Sequence, residues 1–180
     1  AGASKGKNLF SPTAKTRPTS DRAREGLFSS LESEFGSMSE LNFLDLFAGS
    51  GAVGVEALSR GAANVYSIED HAPTAGIASK NFGLVKSEAG KFTVVTTSAE
   101  RFVATPHQIS FDIIFMDPPY KEKKLVDLLN IIIQLQLLKN NGIIIIHRHK
   151  KEEDIFPDEF NILIKKSYGI SKILFGNILN

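Results

Sequence analysis

Four consecutive residues, Asp117-Pro118-Pro119-Tyr120, place an acid, two prolines and an aromatic ring directly after the apolar stretch Phe111–Met116. Because proline has no N–H, this corner offers backbone carbonyl acceptors, and the Asp117 carboxylate adds another. Such acceptors suit the amino group of a nucleobase, whose lone pair is delocalised into the ring. Hydrogen bonds to Asp117 and to the Pro118 carbonyl would favour a pyramidal, reactive nitrogen, while Tyr120 stacks on the base. The motif predicts a catalytic corner that prepares an amino group for methyl transfer.

A glycine-rich segment follows an earlier apolar stretch, Asn42–Phe47. Gly49, Gly51 and Gly54 match the G-x-G-x-x-G pattern, in which the first glycines allow a tight turn close to a ligand and the third lets a helix pack on the sheet. Glu69 stands 20 residues after Gly49, at the end of the next apolar stretch, where a carboxylate can accept hydrogen bonds from ribose hydroxyls. The segment predicts a nucleoside-cofactor site.

The glycine pattern alone leaves the cofactor open between NAD and S-adenosylmethionine. Asp45, inside the preceding strand, favours S-adenosylmethionine, because the charged amino group of that molecule suits an acidic neighbour. A satisfied structural carboxylate at this position remains the alternative interpretation of Asp45.

The elements that must position these residues alternate along the chain. An N-terminal arm with a short strand near Lys7–Phe10 precedes a helix that begins at Thr19-Ser20-Asp21 and ends near Gly36. Further helices are predicted after the glycines through Leu58, over Thr74–Val85, after the capping-box sequence Thr97–Glu100, and along the apolar stripe Leu125–Ile133. The predicted strands are Asn42–Phe47, Asn64–Ile68, Phe92–Thr96, Phe111–Met116, Gly142–His147, Phe160–Lys166 and Ile170–Phe175, with the last two joined as a hairpin at Ser167–Gly169.

This alternation predicts a three-layer α/β domain on a mostly parallel sheet that ends in an antiparallel hairpin. In a doubly wound sheet the first and fourth strands flank the switch point at which ligands bind. The glycine-rich turn and the Asp117 corner are therefore expected to face each other across one site.

Composition narrows the class of protein. The chain has 180 residues, of which 42% are hydrophobic and 23% charged, which is typical of a globular domain. Its apolar runs are too short for a membrane span, and it contains no cysteine for disulfides or thiolate ligands. The net charge is only +1, but residues 1–26 hold six basic residues against two acidic ones. Such a basic segment attracts phosphate-rich partners, and we expect it to dock RNA through Lys5, Lys7, Arg17, Arg22 and Arg24.

Several segments together resemble a known family. Asp117–Tyr120 paired with Phe47–Gly51 is similar to the signature of S-adenosylmethionine-dependent amino-group methyltransferases. The segments Lys5–Leu9, Arg17–Phe28 and Leu44–Gly61, with Asn81 and the closing Tyr168–Phe175, resemble bacterial 16S ribosomal RNA guanine-N2 methyltransferases over nearly the whole chain.

The resemblance implies a Rossmann-like methyltransferase fold and S-adenosylmethionine as methyl donor, with S-adenosylhomocysteine as product and no metal. It implies a guanine of 16S ribosomal RNA as target, within the 30S subunit or a late assembly intermediate. A cytoplasmic monomer without membrane contact is expected. The expected division is a basic arm and helix over 1–36 and a methyltransferase domain over 37–180.

The resemblance also implies the site residues. The catalytic set is Asp117, Pro118, Pro119 and Tyr120, and the donor-binding set is Asp45, Phe47, Ala48, Gly49, Ser50, Gly51, Gly54, Glu69, Asp70, Ser98, Ala99 and Asp117. Ser98 stands where an Asp or Asn usually contacts the adenine, so the contact comes either from its hydroxyl or from the Ala99 N–H. His147-Arg148-His149 stand where a glutamate is common, and we interpret them as a basic surface turn rather than metal ligands.

Three other functions stay open at this stage. A DNA adenine-N6 or cytosine-N4 methyltransferase would use the same catalytic corner, although the chain leaves no room for the usual base-recognition domain. A non-catalytic RNA-binding module on the same fold would not need an intact Asp117 corner. An NAD oxidoreductase would need a hydride-transfer acid, and the sequence offers no obvious one.

Overall fold

The computed structural model describes residues 8–11, 21–85, 90–119 and 122–180. The helices are α1 (Asp21–Phe35), α2 (Ala52–Ser59), α3 (Ala72–Gly83), α4 (Ala99–Ala104) and α5 (Glu122–Gln134). The strands are β1 (Asn42–Asp45), β2 (Asn64–Glu69), β3 (Lys91–Thr96), β4 (Phe111–Met116), β5 (Leu138–His149), β6 (Phe160–Tyr168) and β7 (Ser171–Ile178).

The strands form one seven-stranded sheet in the order β3-β2-β1-β4-β5-β7-β6. The first five strands in that order are parallel, whereas β7 runs antiparallel to both β5 and β6. The predicted mixed sheet with a closing hairpin is thus confirmed. The strand order reverses between β1 and β4, so the carboxyl ends of these two strands flank the switch point.

The central strands are apolar on both faces because helices cover both sides of the sheet. Phe43 of β1 and Phe115 of β4 belong to one core cluster together with side chains of α1, α2 and α3. Leu44 and Ile114, their neighbours in sequence, point the other way into a second cluster with α4 and α5. The result is the expected three layers, with β1 and β4 held rigidly between two cores.

The first helix is part of this core. Leu27, Phe28 and Leu31 of α1 are almost fully buried in the first cluster. The helix ends at Phe35, which agrees with the predicted end near Gly36. Gly36 has φ +90°, which suits the residue after a helix end. Gly26 of α1 lies against the outer end of the Tyr168 ring, which a Cβ at this position would approach to 2.5 Å and displace.

Three predicted local features are wrong. Residues 8–10 form no strand, since the backbone of Phe10 pairs with a side chain of α3 instead of a neighbouring strand. The cap of α4 is Ser98, one residue after the predicted Thr97, and its hydroxyl accepts from the Arg101 N–H at 3.2 Å. The hairpin turns at residues 169–170, because Tyr168 and Ser171 still pair across it.

The fifth strand is longer than predicted at both ends. It begins at Leu138, which pairs with Phe111 of β4 ahead of an irregularity in the ladder. It continues through Arg148 and His149 because both pair with β7. Within the described parts of the chain, none of the helices has the length and apolar character needed to span a membrane.

Candidate active site at the carboxyl ends of β1 and β4

The glycine-rich turn connects β1 to α2 through left-handed backbone angles that glycine adopts readily. Gly49 has φ +55° and Gly51 φ +82°, a region that side-chain-bearing residues rarely adopt. Among the described residues, no atom lies within 4 Å of a Cβ built on Gly49, so the space beside this turn is open. Gly54 has a different role, because a Cβ there would lie 2.8 Å from both the Phe82 ring and the Ser67 hydroxyl. The turn therefore presents bare backbone to the space above the sheet while α2 packs closely below it.

Glu69, at the end of β2, is fixed against this turn. Its Oε2 accepts a hydrogen bond from the Gly49 N–H at 2.8 Å, and its Oε1 accepts one from the His71 N–H at 3.0 Å. Burial raises the pKa of Glu69, an effect opposed by these two backbone bonds and increased by the neighbouring Asp70. The Glu69 carboxylate is thus held at the mouth of the turn, half-buried, and Asp70 is exposed beside it.

Asp45, the last residue of β1, is only 1% exposed. The pKa of Asp45 is raised to about 8, chiefly by burial and further by the charges of Asp117 and Glu69. The Phe47 N–H, which donates to its Oδ1 at 3.2 Å, opposes this rise. Three acidic side chains from three adjacent strands therefore influence one another at the switch point. This edge of the sheet is electronegative, and it suits a cationic ligand better than an anionic one.

The Asp117 corner directly follows β4, where the sheet ladder continues by a bond from the Leu46 N–H to the Phe115 carbonyl at 3.1 Å. The Asp117 side chain is 29% exposed, Pro118 is buried and Pro119 is exposed. The structure brings Asp117 to the same edge as the glycine turn, as the topology predicted. Tyr120 lies outside the described residues.

His147 was not predicted as a site residue, yet its Nδ1 lies 3.1 Å from Oδ2 of Asp117. The approach lacks the angle of a hydrogen bond, and both ring nitrogens are buried without a hydrogen-bond partner among the described residues. The prediction of a basic surface turn at 147–149 is wrong: Arg148 is 6% exposed and binds both carboxylate oxygens of Asp154, and only His149 is exposed. The predicted strand ended too early, at His147, whereas β5 continues to His149 and pairs with β7 along that length.

Hydrogen bonds through Asn81 connect Phe10, in the N-terminal arm, to Ser50 in the glycine turn. The Asn81 side chain in α3 is fully buried; its Oδ1 accepts from the Phe10 N–H, and its Nδ2 donates to the carbonyls of Phe10 and Ser50. A fully buried side-chain amide needs hydrogen-bond partners, and Asn81 finds them in Phe10 and Ser50.

The predicted RNA-binding residues are only partly described. Arg22 is exposed on α1, whereas Arg24 pairs with Asp21 of the same helix at 2.9 Å. Lys5, Lys7 and Arg17 lie outside the described residues.

The described residues contain no group of three His, Asp or Glu side chains suited to hold a metal ion. A cavity of about 460 Å³ lies at the opposite edge of the sheet, before β4 and after α5, and is lined by residues 103–110 and 135–137. His107, its one titratable lining residue, contacts the Phe102 carbonyl at 2.6 Å, so the cavity offers no acid–base pair to compete with the switch point.

Comparisons with known proteins agree with this geometry. The family described as "Conserved hypothetical protein 95" matches residues 1–177. The "Ribosomal RNA small subunit methyltransferase D" of Haemophilus influenzae is 33% identical and is matched over 86% of this chain and 79% of its own. This chain belongs to the family described as "Conserved hypothetical protein 95".

Two further family resemblances extend over the whole chain. The Bacillus subtilis protein named "Putative rRNA methyltransferase YlbH" is 34% identical over 96% of this chain and 94% of its own. The solved structure titled "Putative methyltransferase yhhF from Escherichia coli" superposes with a TM-score of 0.85 at 27% identity, covering 100% of this chain and 96% of that one. The Rossmann-like methyltransferase fold predicted for this family member is therefore confirmed.

Proposed function

We propose that this chain transfers the methyl group of S-adenosylmethionine to the exocyclic N2 amino group of a guanine in 16S ribosomal RNA. One observation carries the proposal: the Asp117 corner and the glycine-rich turn meet at a single electronegative switch point. The names of the relatives support ribosomal RNA as the substrate class. The choice of guanine N2 rests on the resemblance of Arg17–Phe28 and the surrounding segments to the guanine-N2 enzymes.

The charge of the site fits the proposed donor. S-adenosylmethionine carries a sulfonium and an ammonium group, so its binding would relieve the electrostatic cost that raises the pKa of Asp45 and Glu69. Glu69 could serve the ribose of either cofactor, whereas the buried acid Asp45 suits the charged amino group that only S-adenosylmethionine carries. The electronegative edge therefore favours the first of the two cofactors that the glycine pattern left open.

The donor-binding roles follow the positions of the side chains. Glu69, already locked by two backbone bonds, presents its carboxylate edge for the ribose hydroxyls, and the bare backbone at Gly49 allows close approach. Ser98 uses its hydroxyl to cap α4. The Ala99 N–H is therefore the better candidate for the adenine contact.

The catalytic roles follow from the acceptors at the corner. When bound, S-adenosylmethionine supplies a methyl group on positively charged sulfur, which a nitrogen lone pair can attack. Asp117 accepts a hydrogen bond from the guanine amino group, and the Pro118 carbonyl accepts the second. These two bonds direct the nitrogen lone pair and stabilise the positive charge that develops there. The new N–C bond would form as the S–C bond of the donor breaks, and the methylated nitrogen would then lose one proton to solvent water. Tyr120 is assigned to stacking on the flipped base.

The basic arm is assigned to the RNA. Phosphate contacts supply much of the affinity for nucleic acids, and the arm concentrates the positive charge of this chain. The contacts of Asn81 place residue 10 beside the glycine turn, so an arm bound to RNA would lie close to the donor site. We further propose that the enzyme acts in the bacterial cytoplasm, as a monomer, on the 30S subunit or a late assembly intermediate, as the resemblance implies.

A substrate panel tests the proposal. Purified protein is incubated with methyl-labelled S-adenosylmethionine and one of three substrates: undermethylated 30S subunits, deproteinised 16S RNA, or duplex DNA. The products are digested and the labelled nucleosides identified. We expect label in N2-methylguanosine from the ribosomal substrates. Label in N6-methyladenine or N4-methylcytosine of DNA would instead identify a DNA enzyme, and no transfer with intact donor binding would indicate a non-catalytic module.

A further inference from the structure

His147 lies at the carboxyl end of β5, the strand next to β4 in the sheet. The four residues before it, 143–146, are buried isoleucines, and the main chain of His147 pairs with Ile173 of β7. Its side chain is 12% exposed. An imidazole at the end of such an apolar strand is unexpected on packing grounds alone, because a buried polar ring needs a hydrogen-bond partner.

The ring nitrogens of His147 have no hydrogen-bond partner within the described part of the chain, although Nδ1 lies 3.1 Å from Oδ2 of Asp117. The distance is that of a hydrogen bond and only the angle is unsuitable. Hydrogen bonds in an empty active site are often poorly aligned and improve when the substrate binds. A change in the relative orientation of the imidazole and the Asp117 carboxylate, with no change in their distance, would satisfy Nδ1.

The tautomer follows from the partner. Two lone pairs would repel each other at this distance, so Nδ1 carries the proton and donates to Oδ2. A carboxylate held at one oxygen in this way has lost its rotational freedom, and it presents a fixed acceptor to the site mouth through the exposed part of its side chain. The position of the acceptor decides how well the target nitrogen is directed.

We infer that His147 is a positioning residue for the methyl-transfer reaction, which orients the Asp117 carboxylate through Nδ1 so that it meets the amino group of the base. The inference rests on the proposed function, because it acts through Asp117. His147 itself touches neither donor nor base in this assignment. Its removal should slow transfer without weakening donor binding.

Three substitutions separate positioning from packing. In His147→Asn the side-chain amide N–H can replace Nδ1–H, whereas in His147→Gln it reaches the position of Nε2. His147→Leu fills the space without a donor. His149→Leu is the matched control, since His149 lies two residues further along the same strand and its side chain is exposed. For each variant, kcat and KM on 30S subunits and the Kd of the donor are measured.

We expect His147→Leu and His147→Gln to lower kcat about tenfold to a hundredfold, the range for a misplaced catalytic group, and His147→Asn to recover to within about threefold of wild type. The donor Kd should stay within about twofold in all variants, and His149→Leu should match wild type. Unchanged kcat in His147→Leu, or equal activity of the Asn and Gln variants, would overturn the inference. If His147→Leu does not fold, the Asn–Gln comparison decides alone.

A spectroscopic measurement separates this inference from the proposed function. The ¹⁵N resonances of the His147 ring are compared between wild type and Asp117→Asn in the absence of substrate. A shift of Nδ1 shows the contact, and identical resonances would contradict it. If the wild-type protein shows the contact but methylates no substrate, the proposed function is refuted. If the wild type is active and the His147 variants have the same kcat, only the positioning role is refuted.

Discussion

Replacing Asp45 by asparagine should stabilise the unliganded protein, although Asp45 lies in the proposed donor site. The asparagine side chain would keep an oxygen that accepts from the Phe47 N–H, and it would fill nearly the same volume. The change removes an acid whose charged form is disfavoured by burial and by the charges of Asp117 and Glu69. The wild-type residue is thus expected to lower stability in return for donor binding.

The magnitude follows from proton linkage. The pKa of Asp45 rises from 3.8 to about 8 on folding, so the folded state binds the proton more tightly than the unfolded state. The free energy of unfolding therefore falls as pH rises between these values, and it levels off above the higher one. At about 1.4 kcal/mol per pKa unit the ceiling is roughly 6 kcal/mol, and with local relaxation we expect Asp45→Asn to gain about 3 kcal/mol at pH 8 and little at pH 4.

Calorimetric melting at pH 4.5 and pH 8 without donor measures this effect. A gain of about 3 kcal/mol corresponds to a Tm increase of roughly 6 to 12 °C for a chain of this size, seen only at the higher pH. Asp154→Asn is the matched control: Asp154 is also buried but pairs with Arg148, so its replacement should lower the Tm. A lower Tm for Asp45→Asn at pH 8, or the same gain at both pH values, would refute the reasoning. The variant should also bind S-adenosylmethionine more weakly.

The remaining predictions concern the turn and the arm. Glu69→Ala should weaken donor binding by roughly 1 to 3 kcal/mol without changing which base is methylated, as measured by calorimetric titration; unchanged affinity would remove Glu69 from the donor site. Gly54→Ala should lower the free energy of unfolding by about 1 to 3 kcal/mol, because its Cβ has no space, and a neutral result in urea denaturation would contradict the close packing. Replacing Lys5, Lys7 and Arg17 together with alanine should lower the affinity for RNA, make that affinity less dependent on salt and leave donor binding unchanged. Normal methylation by this variant across a salt series would show that the arm does not bind the RNA.

Sequence patterns were sufficient for the parts of the fold that follow from local periodicity. The bounds of β4 are those predicted, because a run of buried apolar residues between polar ones has little freedom to shift. The facing of the Asp117 corner and the glycine turn followed from topology, since parallel strands one and four must end at the same edge.

The features that the sequence did not reveal depend on contacts between distant residues. The burial of His147 and Arg148 requires the pairing of β5 with β7 and the ion pair to Asp154, neither of which leaves a local pattern. The bonds between Asn81 and Phe10 span 71 residues and replace the predicted strand. The raised pKa of Asp45 arises chiefly from its burial and further from the charges of Asp117 and Glu69 on neighbouring strands, and a linear sequence carries no measure of either.

The central claim is that one side of the switch point binds the methyl donor while Asp117, on the other side, prepares the amino group. Single-turnover methyl transfer to undermethylated 30S subunits by wild type and Asp117→Ala, with donor Kd measured on the same preparations, tests it most directly. We predict that wild type forms labelled N2-methylguanosine, and that the variant binds donor within about twofold of wild type but transfers at least roughly a hundredfold more slowly. Loss of donor binding in parallel with activity, or unchanged transfer by Asp117→Ala, would contradict the account.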